Sequence, residues 1–203
     1  MNEATYQHLA GQECDRPRRT IRDIFLDNDM PEERARLEEW LRCAFSEQQL
    51  TERQRMSIPK LQYNLLLLIA AATVLANDTW PDEDQRPNPY DAMEEHWFFK
   101  RRRAAQIPYA YFPRHLDLDQ YTCPQAVFCQ TSDALPVHRW SQLLEQLLAA
   151  GQSKKNIYEI SRQKDLYGHY HLLLPLLEAA YLVFVRELQL PLSGFGPVKK
   201  PSA

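Results

Sequence analysis

The sequence predicts an all-α fold, a single bundle-like helical domain, and three observations support this prediction. The 203 residues include only five glycines beside fourteen prolines, a balance that favours helices over the many turns of an all-β fold. Two segments, 60–77 and 172–188, are apolar on nearly every side, as is typical of helices at the centre of a bundle. Amphipathic helical patterns occur on both sides of these segments.

The first half of the chain carries helix-start signals and one clear apolar stripe. Pro31 lies in the first turn of a predicted helix, where its fixed φ suits the helix start. The stripe of this helix recurs at helical spacing in Leu37, Trp40, Leu41, Ala44 and Phe45. Thr51 and Gln54 form a capping-box pattern. A second helix therefore begins there and continues, kinked or restarted at Pro59, into the apolar segment 60–77.

The middle of the chain is less regular. Residues 78–90 form a loop rich in Asp and Pro, and Asn88-Pro89 predicts a helix that extends to about Ala105. Helical periodicity is lost near Ile107. We therefore expect an irregular, loop-rich segment at about 106–135, in which the short runs YAYF and AVFC are brief strands or packed loop.

The last third returns to helical periodicity. A helix that opens around Pro136 carries a leucine stripe and ends at Gly151, a natural C-terminal stop. Ser153 is expected to cap a shorter helix. The final helix runs from about Gly168 to Leu188, with Pro175 as a kink or a delayed start.

The predicted organisation is one helical domain over residues 1–190, followed by a flexible tail at 191–203. A sub-division into 1–77 and 136–190, joined by an irregular segment at 78–135, is the alternative.

Composition narrows the classes of function. A net charge of −3 argues against a chain that coats nucleic acid or anionic lipid along its length. The first 19 residues contain no apolar leader, and the longest apolar run is shorter than the roughly 20 residues of a membrane span. We therefore expect a cytoplasmic protein with no membrane contact.

Familiar catalytic and metal-binding motifs are not found in the sequence. The four cysteines lack a common zinc spacing, and they are interpreted as free thiols in a reducing compartment. There is no glycine-rich phosphate loop, no His-Glu-x2-His and no Gly-x-Ser-x-Gly. The sequence thus predicts no metal site and no cofactor, and it favours a protein that is not an enzyme.

A switch of charge is the strongest local anomaly. Seven acids between Asp78 and Glu95 are followed over 97–115 by five bases, no acid and six aromatic residues. Bases beside aromatics suit single-stranded nucleic acid, because phosphates pair with cations while nucleobases stack on rings. The predicted contacts of this basic-aromatic segment are Lys100, Arg101, Arg102, Arg103, Arg114, Tyr109 and Tyr111. Alternatively, the aromatics are core and the arginines form a solvated face paired with the preceding acids.

Arg162 and His169, which precede the last long helix, form a second candidate site. A histidine there can transfer a proton at a ribose hydroxyl or leaving oxygen while an arginine steadies the phosphate. In this Arg-x6-His spacing, with Gln163 after the arginine, the chain resembles HEPN-type domains, helical bundles often found as RNases in bacterial toxin and defence systems. The resemblance covers about the last 55 residues. It implies that Arg162 and His169 are catalytic and that the protein is a dimer; the alternative is a surface arginine and a half-buried histidine between helices.

The leading hypothesis is a non-enzymatic helical accessory or regulatory module. It would act in a larger assembly, with a protein partner or as a homodimer, and contact nucleic acid through the basic-aromatic segment. The runner-up is a metal-independent RNase of HEPN type that uses Arg162 and His169.

Overall fold

The all-α prediction is confirmed. A computed structural model describes residues 16–80, 109–153, 155–161 and 166–189, and these ranges contain helices and connecting turns but no strand. The α-helices in the described ranges are α1 Pro17–Asp27, α2 Met30–Phe45, α3 Glu52–Leu75, α4 Leu118–Thr122, α5 Gln125–Ala134, α6 Val137–Gln152, α7 Ile157–Ile160, α8 Leu166–His171 and α9 Leu173–Gln189. A 3-10 turn spans Tyr109–Tyr111.

Helix α9 lies at the centre of the domain. It packs against α1, α2, α3 and α5. From Leu176 to Arg186 every residue is buried, so no side of this stretch faces solvent. Buried residues on both sides of segment 78–135 belong to one hydrophobic cluster. The helices of 16–75 and those of 137–186 therefore share a single core.

Helix α3 packs in the core with one face and exposes the other face. The capping box predicted at its start is confirmed, since Thr51 accepts a hydrogen bond from the backbone N–H of Gln54 and the Gln54 side chain accepts from that of Thr51. The helix continues through Pro59. Its outer face exposes Tyr63 and Val74, so the expectation that 60–77 is buried on nearly every side is wrong for this face.

The prediction of an irregular segment over 106–135 needs a correction. The YAYF run holds a 3-10 turn, and AVFC lies within α5. Val127, Phe128 and Thr131 are buried at helical spacing. Helix α5 is only ten residues long and its N-cap residue, Pro124, makes no side-chain capping bond. The sequence signals that predict a helix are therefore weak for α5.

Two other helix ends differ from the prediction. Gly151 does not end α6 but lies in its last turn, where a Cβ atom would be 2.9 Å from Leu50 Cδ1. A larger residue there would make the Leu50 side chain shift. The Gly151 carbonyl accepts a hydrogen bond of 2.9 Å from the Leu50 backbone N–H. The next helix is capped by Asn156, not Ser153, in a capping box with Glu159.

The predicted final helix is divided in two. Helices α8 and α9 are separated at Leu172, whose N–H donates to the His169 carbonyl at 3.1 Å. Pro175 follows in the first turn of α9. The N–H groups of the first turn have no partner within the helix, so a proline there costs no helical hydrogen bond. The position agrees with the predicted delayed start of the final helix.

Two helical stretches are long and apolar enough to cross a membrane by length and composition alone. They are Glu52–Leu75 and Leu166–Arg186, and 56% and 78% of their most apolar windows are buried inside the protein. Core helices meet the same criterion, so the finding is weak evidence for a membrane span. The helix predicted at 88–105 and the tail predicted at 191–203 lie outside the described residues.

Candidate binding surface around Phe45

Most of the predicted contact residues fall outside the described ranges. This holds for Lys100, the three arginines at 101–103, the side chain of Tyr109, and Arg162. The remaining members, Tyr111, Arg114 and His169, are placed by the structure.

A buried ion pair holds the end of the basic-aromatic segment. Arg34 on α2 and Glu178 on α9 are 3% and 0% exposed, and their Nη1 and Oε1 atoms are 2.7 Å apart. Arg34 also donates to the backbone carbonyls of Ala110 and Phe112. The second Glu178 oxygen, Oε2, accepts the backbone N–H groups of residues 114 and 115 at 2.9 and 2.7 Å. Two helices thus hold residues 110–115 by backbone contacts.

This anchoring affects differently the two predicted contacts of the segment whose side chains are described, Tyr111 and Arg114. Tyr111 is 4% exposed, and its hydroxyl donates to Asp29 Oδ1 at 2.7 Å. Its ring is therefore not available to stack on a nucleobase. Arg114 is tied down by its backbone N–H while its side chain is exposed. It is the described member of the predicted set whose side chain faces solvent.

His169 lies on α8 and is half-buried. Its ring meets the Trp140 ring edge to face, with centroids 6.1 Å apart. The half-buried position matches the structural alternative considered for this histidine. Arg162 lies outside the described residues, so the structure gives no distance between it and His169.

The structure shows an aromatic surface that the sequence patterns did not single out. Its members are Phe45, Tyr158, Tyr167 and His171, and we call it the tyrosine surface. Tyr158 is 58% exposed and Tyr167 is 64% exposed. Their ring centroids lie 5.7 and 6.2 Å from that of Phe45, in edge-to-face geometry. His171 stacks on Tyr167 with an interplanar angle of 13°.

Short helices with opposite faces hold these rings in place. On α8, Leu166 and Tyr170 are buried four residues apart, which turns Tyr167 and His171 outward. Tyr170 contacts Phe45 from the inside, with ring centroids 5.4 Å apart. Its hydroxyl donates to the Leu143 carbonyl at 3.1 Å, and burial raises the pKa of this tyrosine well above its usual range.

Helix α7 supplies the other exposed ring. The Asn156–Glu159 capping box fixes its start, Ile157 is buried, and Tyr158 then points away from the core. Lys155 is exposed beside this helix start. The sequence signal was a pair of tyrosines that bracket Arg162 and Lys164, within KKNIYEISRQKDLYGHYH.

The described residues offer ring faces and donors rather than metal chemistry. In the ranges that the structure describes, no group of three or more His, Cys, Asp or Glu side chains is placed to hold a metal ion. The cysteines in these ranges, Cys43, Cys123 and Cys129, are free thiols. The arrangement suits stacking and hydrogen bonding to a partner.

No protein-family model, curated protein or solved structure matches this chain.

Proposed function

We propose that this protein is a non-enzymatic helical module that binds single-stranded nucleic acid within a larger assembly. The observation that supports the proposal best is the tyrosine surface, in which two rings are exposed by more than half and held by packing against Phe45. Aromatic rings held on short helices lose little conformational freedom when a base stacks on them. Every nucleobase has a π-face, so such stacking tolerates many sequences.

Basic residues lie close in sequence to the two exposed tyrosines. Lys155 is exposed next to α7, and Lys154, Arg162 and Lys164 lie within five residues of Tyr158 or Tyr167 in the sequence. Such cations would pair with phosphates while the rings take the bases. The combination is of the same kind as the one predicted for the basic-aromatic segment, but its rings are Tyr158 and Tyr167 on α7 and α8.

The basic-aromatic segment is proposed as a second contact of the same module. Arg34, which anchors its end, and Phe45 are eleven residues apart on α2, or roughly 16 Å along the helix axis. A flexible single-stranded nucleic acid can span that distance. The segment contributes Arg114, whose side chain is exposed, and the proposed contacts at 100–103.

A titration of single-stranded RNA and DNA at two salt concentrations tests both contacts. We expect Tyr158→Ala and Tyr167→Ala each to weaken binding by about tenfold, since one lost base stack is worth about 1–3 kcal/mol. The matched Phe variants keep the ring face and should retain binding. Changing Arg101, Arg102 and Arg103 together to Glu should weaken binding and reduce its salt dependence.

Two results would contradict the proposal. If the alanine variants bind as tightly as the unchanged protein, the tyrosine surface is not the contact. If no single-stranded nucleic acid binds, the partner is a protein or a second copy of the chain, and a pull-down or a measurement of mass in solution would identify it. Met56→Ala, at an exposed apolar position on α3, serves as a control for surface substitution.

The RNase alternative can be tested beside binding, because His169 lies on the same short helix as Tyr167 and His171. Two residues from each of them, it points to another side of α8, where its half-buried ring packs against Trp140. The HEPN resemblance would make His169 catalytic together with Arg162.

RNA incubated with the protein and a metal chelator should then be cleaved. General acid-base catalysis contributes about 10²–10⁴-fold, so His169→Ala should reduce the rate by a factor of that order. Arg162→Ala should do the same, and the exposed His138→Ala should not. Absence of cleavage, or cleavage that survives both substitutions, removes the RNase alternative.

A further inference from the structure

A groove of about 700 Å³ lies between α1 and α3. This volume falls within the range of about 300–1,000 Å³ that is typical of small-molecule sites. Its walls come from residues 16–28 and 60–67. None of its lining residues belongs to the tyrosine surface or to the basic-aromatic segment.

The spacing of residues on α3 creates one wall. Lys60, Tyr63, Asn64 and Leu67 stand at positions i, i+3, i+4 and i+7, so they share one face of the helix. Facing them, Ile24 of α1 is 6% exposed and lies at the apolar floor. Such a groove is apolar in its depth and polar along its rim.

Asn64 is the unusual member of this face. It is 7% exposed, and its side-chain Nδ2 has no hydrogen-bond partner in the part of the chain that the structure describes. A buried donor without an acceptor costs about 1–3 kcal/mol of stability. The Nδ2 atom itself is enclosed, so a ligand oxygen in the groove reaches it only when the Asn64 side chain turns toward the groove. A hydrogen bond made in that way would remove this cost.

The charges at the rim define the ligand further. Arg16, Arg19 and Lys60 line the groove together with Asp23 and Asp27, which leaves an excess of one positive charge. Arg19 and Asp23 already pair at 3.7 Å. Lys60 lies one helical turn from Asn64, so the two residues share one face of α3. Lys60 is exposed, and the Glu33 carboxylate of α2 is close enough to interact with its ammonium. A monoanion complements this lining, and the two aspartates oppose a dianion.

We propose that the groove binds a small organic carboxylate with an apolar chain. The carboxylate oxygens accept hydrogen bonds from the Lys60 ammonium and, with the Asn64 side chain turned into the groove, from Asn64 Nδ2. The apolar chain lies along Ile24 and Leu67 at the floor. The planar two-oxygen head group fits two donors that lie one turn apart on the same helix.

Calorimetric titration of the 203-residue chain with straight-chain carboxylates, from acetate to octanoate, tests this site. Affinity should rise with chain length, by up to about fourfold per methylene, until the floor is covered. The matching uncharged alcohols should bind far more weakly. Lys60→Gln should lower affinity for octanoate several-fold and reduce its dependence on salt.

Asn64→Leu separates the site from the fold. This variant should lose saturable carboxylate binding while its melting temperature without ligand stays the same or rises, because an unsatisfied buried donor is removed. Asn77→Leu, at an exposed position at the end of α3, should bind like the unchanged protein. No saturable binding of any carboxylate, equal binding of the alcohols, or unchanged binding by Asn64→Leu would each overturn the proposal.

Discussion

Replacing Arg34 with methionine is expected to lower the free energy of unfolding by about 3–5 kcal/mol, because it leaves the Glu178 carboxylate buried without its counter-charge. Glu178 is fully buried, and its remaining partners are two backbone N–H groups. The carbonyls of Ala110 and Phe112 lose their donor as well. A domain of this size has only about 5–15 kcal/mol to lose, so denaturant unfolding should show the effect clearly.

Two further variants make the Arg34 result specific. Arg34→Lys keeps the charge but cannot reach one carboxylate and two carbonyls at once, so its loss should be intermediate. Arg42→Met removes a surface ion pair with Glu39, which is 2.6 Å long but largely solvated, and should change stability little. If Arg34→Met unfolds at the same denaturant concentration as the unchanged protein, the ion pair does not hold the two helices and the 110–115 segment together.

Leu177→Ala should destabilise the protein by about 2–5 kcal/mol and lower its melting temperature by roughly 5–15 °C. Leu177 is 2% exposed on the central helix α9, so its truncation removes apolar contacts and leaves a cavity. Leu67→Ala should cost clearly less. Leu67 is only partly buried and lines the groove of α3, although the apolar run alone suggested that it lies in the core.

Thermal melts of the two variants, made separately, check this difference. Leu65→Ala offers a matched control on α3, since Leu65 is fully buried and should behave like Leu177. Equal losses for Leu65→Ala and Leu67→Ala would show that the exposed face of α3 is covered in solution. A near-zero loss for Leu177→Ala would mean that α9 is not the core helix.

Sequence signals carried by neighbouring residues predicted the helices well where the whole capping or periodic pattern is present. The Thr51–Gln54 capping box involves neighbouring residues and is found as predicted. The apolar stripe of α2 is found in part: Leu37, Trp40 and Ala44 are buried, whereas Leu41 and Phe45 are only partly buried. A run of four leucines, Leu65 to Leu68, carries no periodicity, so it predicted a helix without showing which side faces the core. Two of these leucines are buried and two are only partly so.

Features made by distant residues were not predictable in the same way. Arg34 and Glu178 are 144 residues apart, and in sequence each is one charge on a helix that also carries others. Tyr111 belongs to a run of aromatic and basic residues that predicted a stacking surface. In the structure its ring is buried and its hydroxyl donates a hydrogen bond to Asp29. Tyr158 and Tyr167 form one surface only because α7 and α8 both pack near Phe45.

An NMR titration with a short single-stranded RNA tests most directly whether the tyrosine surface is the site of nucleic-acid binding. Backbone amide signals of residues 157–160 and 166–171 should shift in proportion to the RNA added, with smaller shifts near Arg114 and none along the α1–α3 groove. The Tyr158→Phe and Tyr167→Phe variants should give the same pattern. Absence of any shift at α7 and α8, or shifts confined to other helices, would contradict the proposed function.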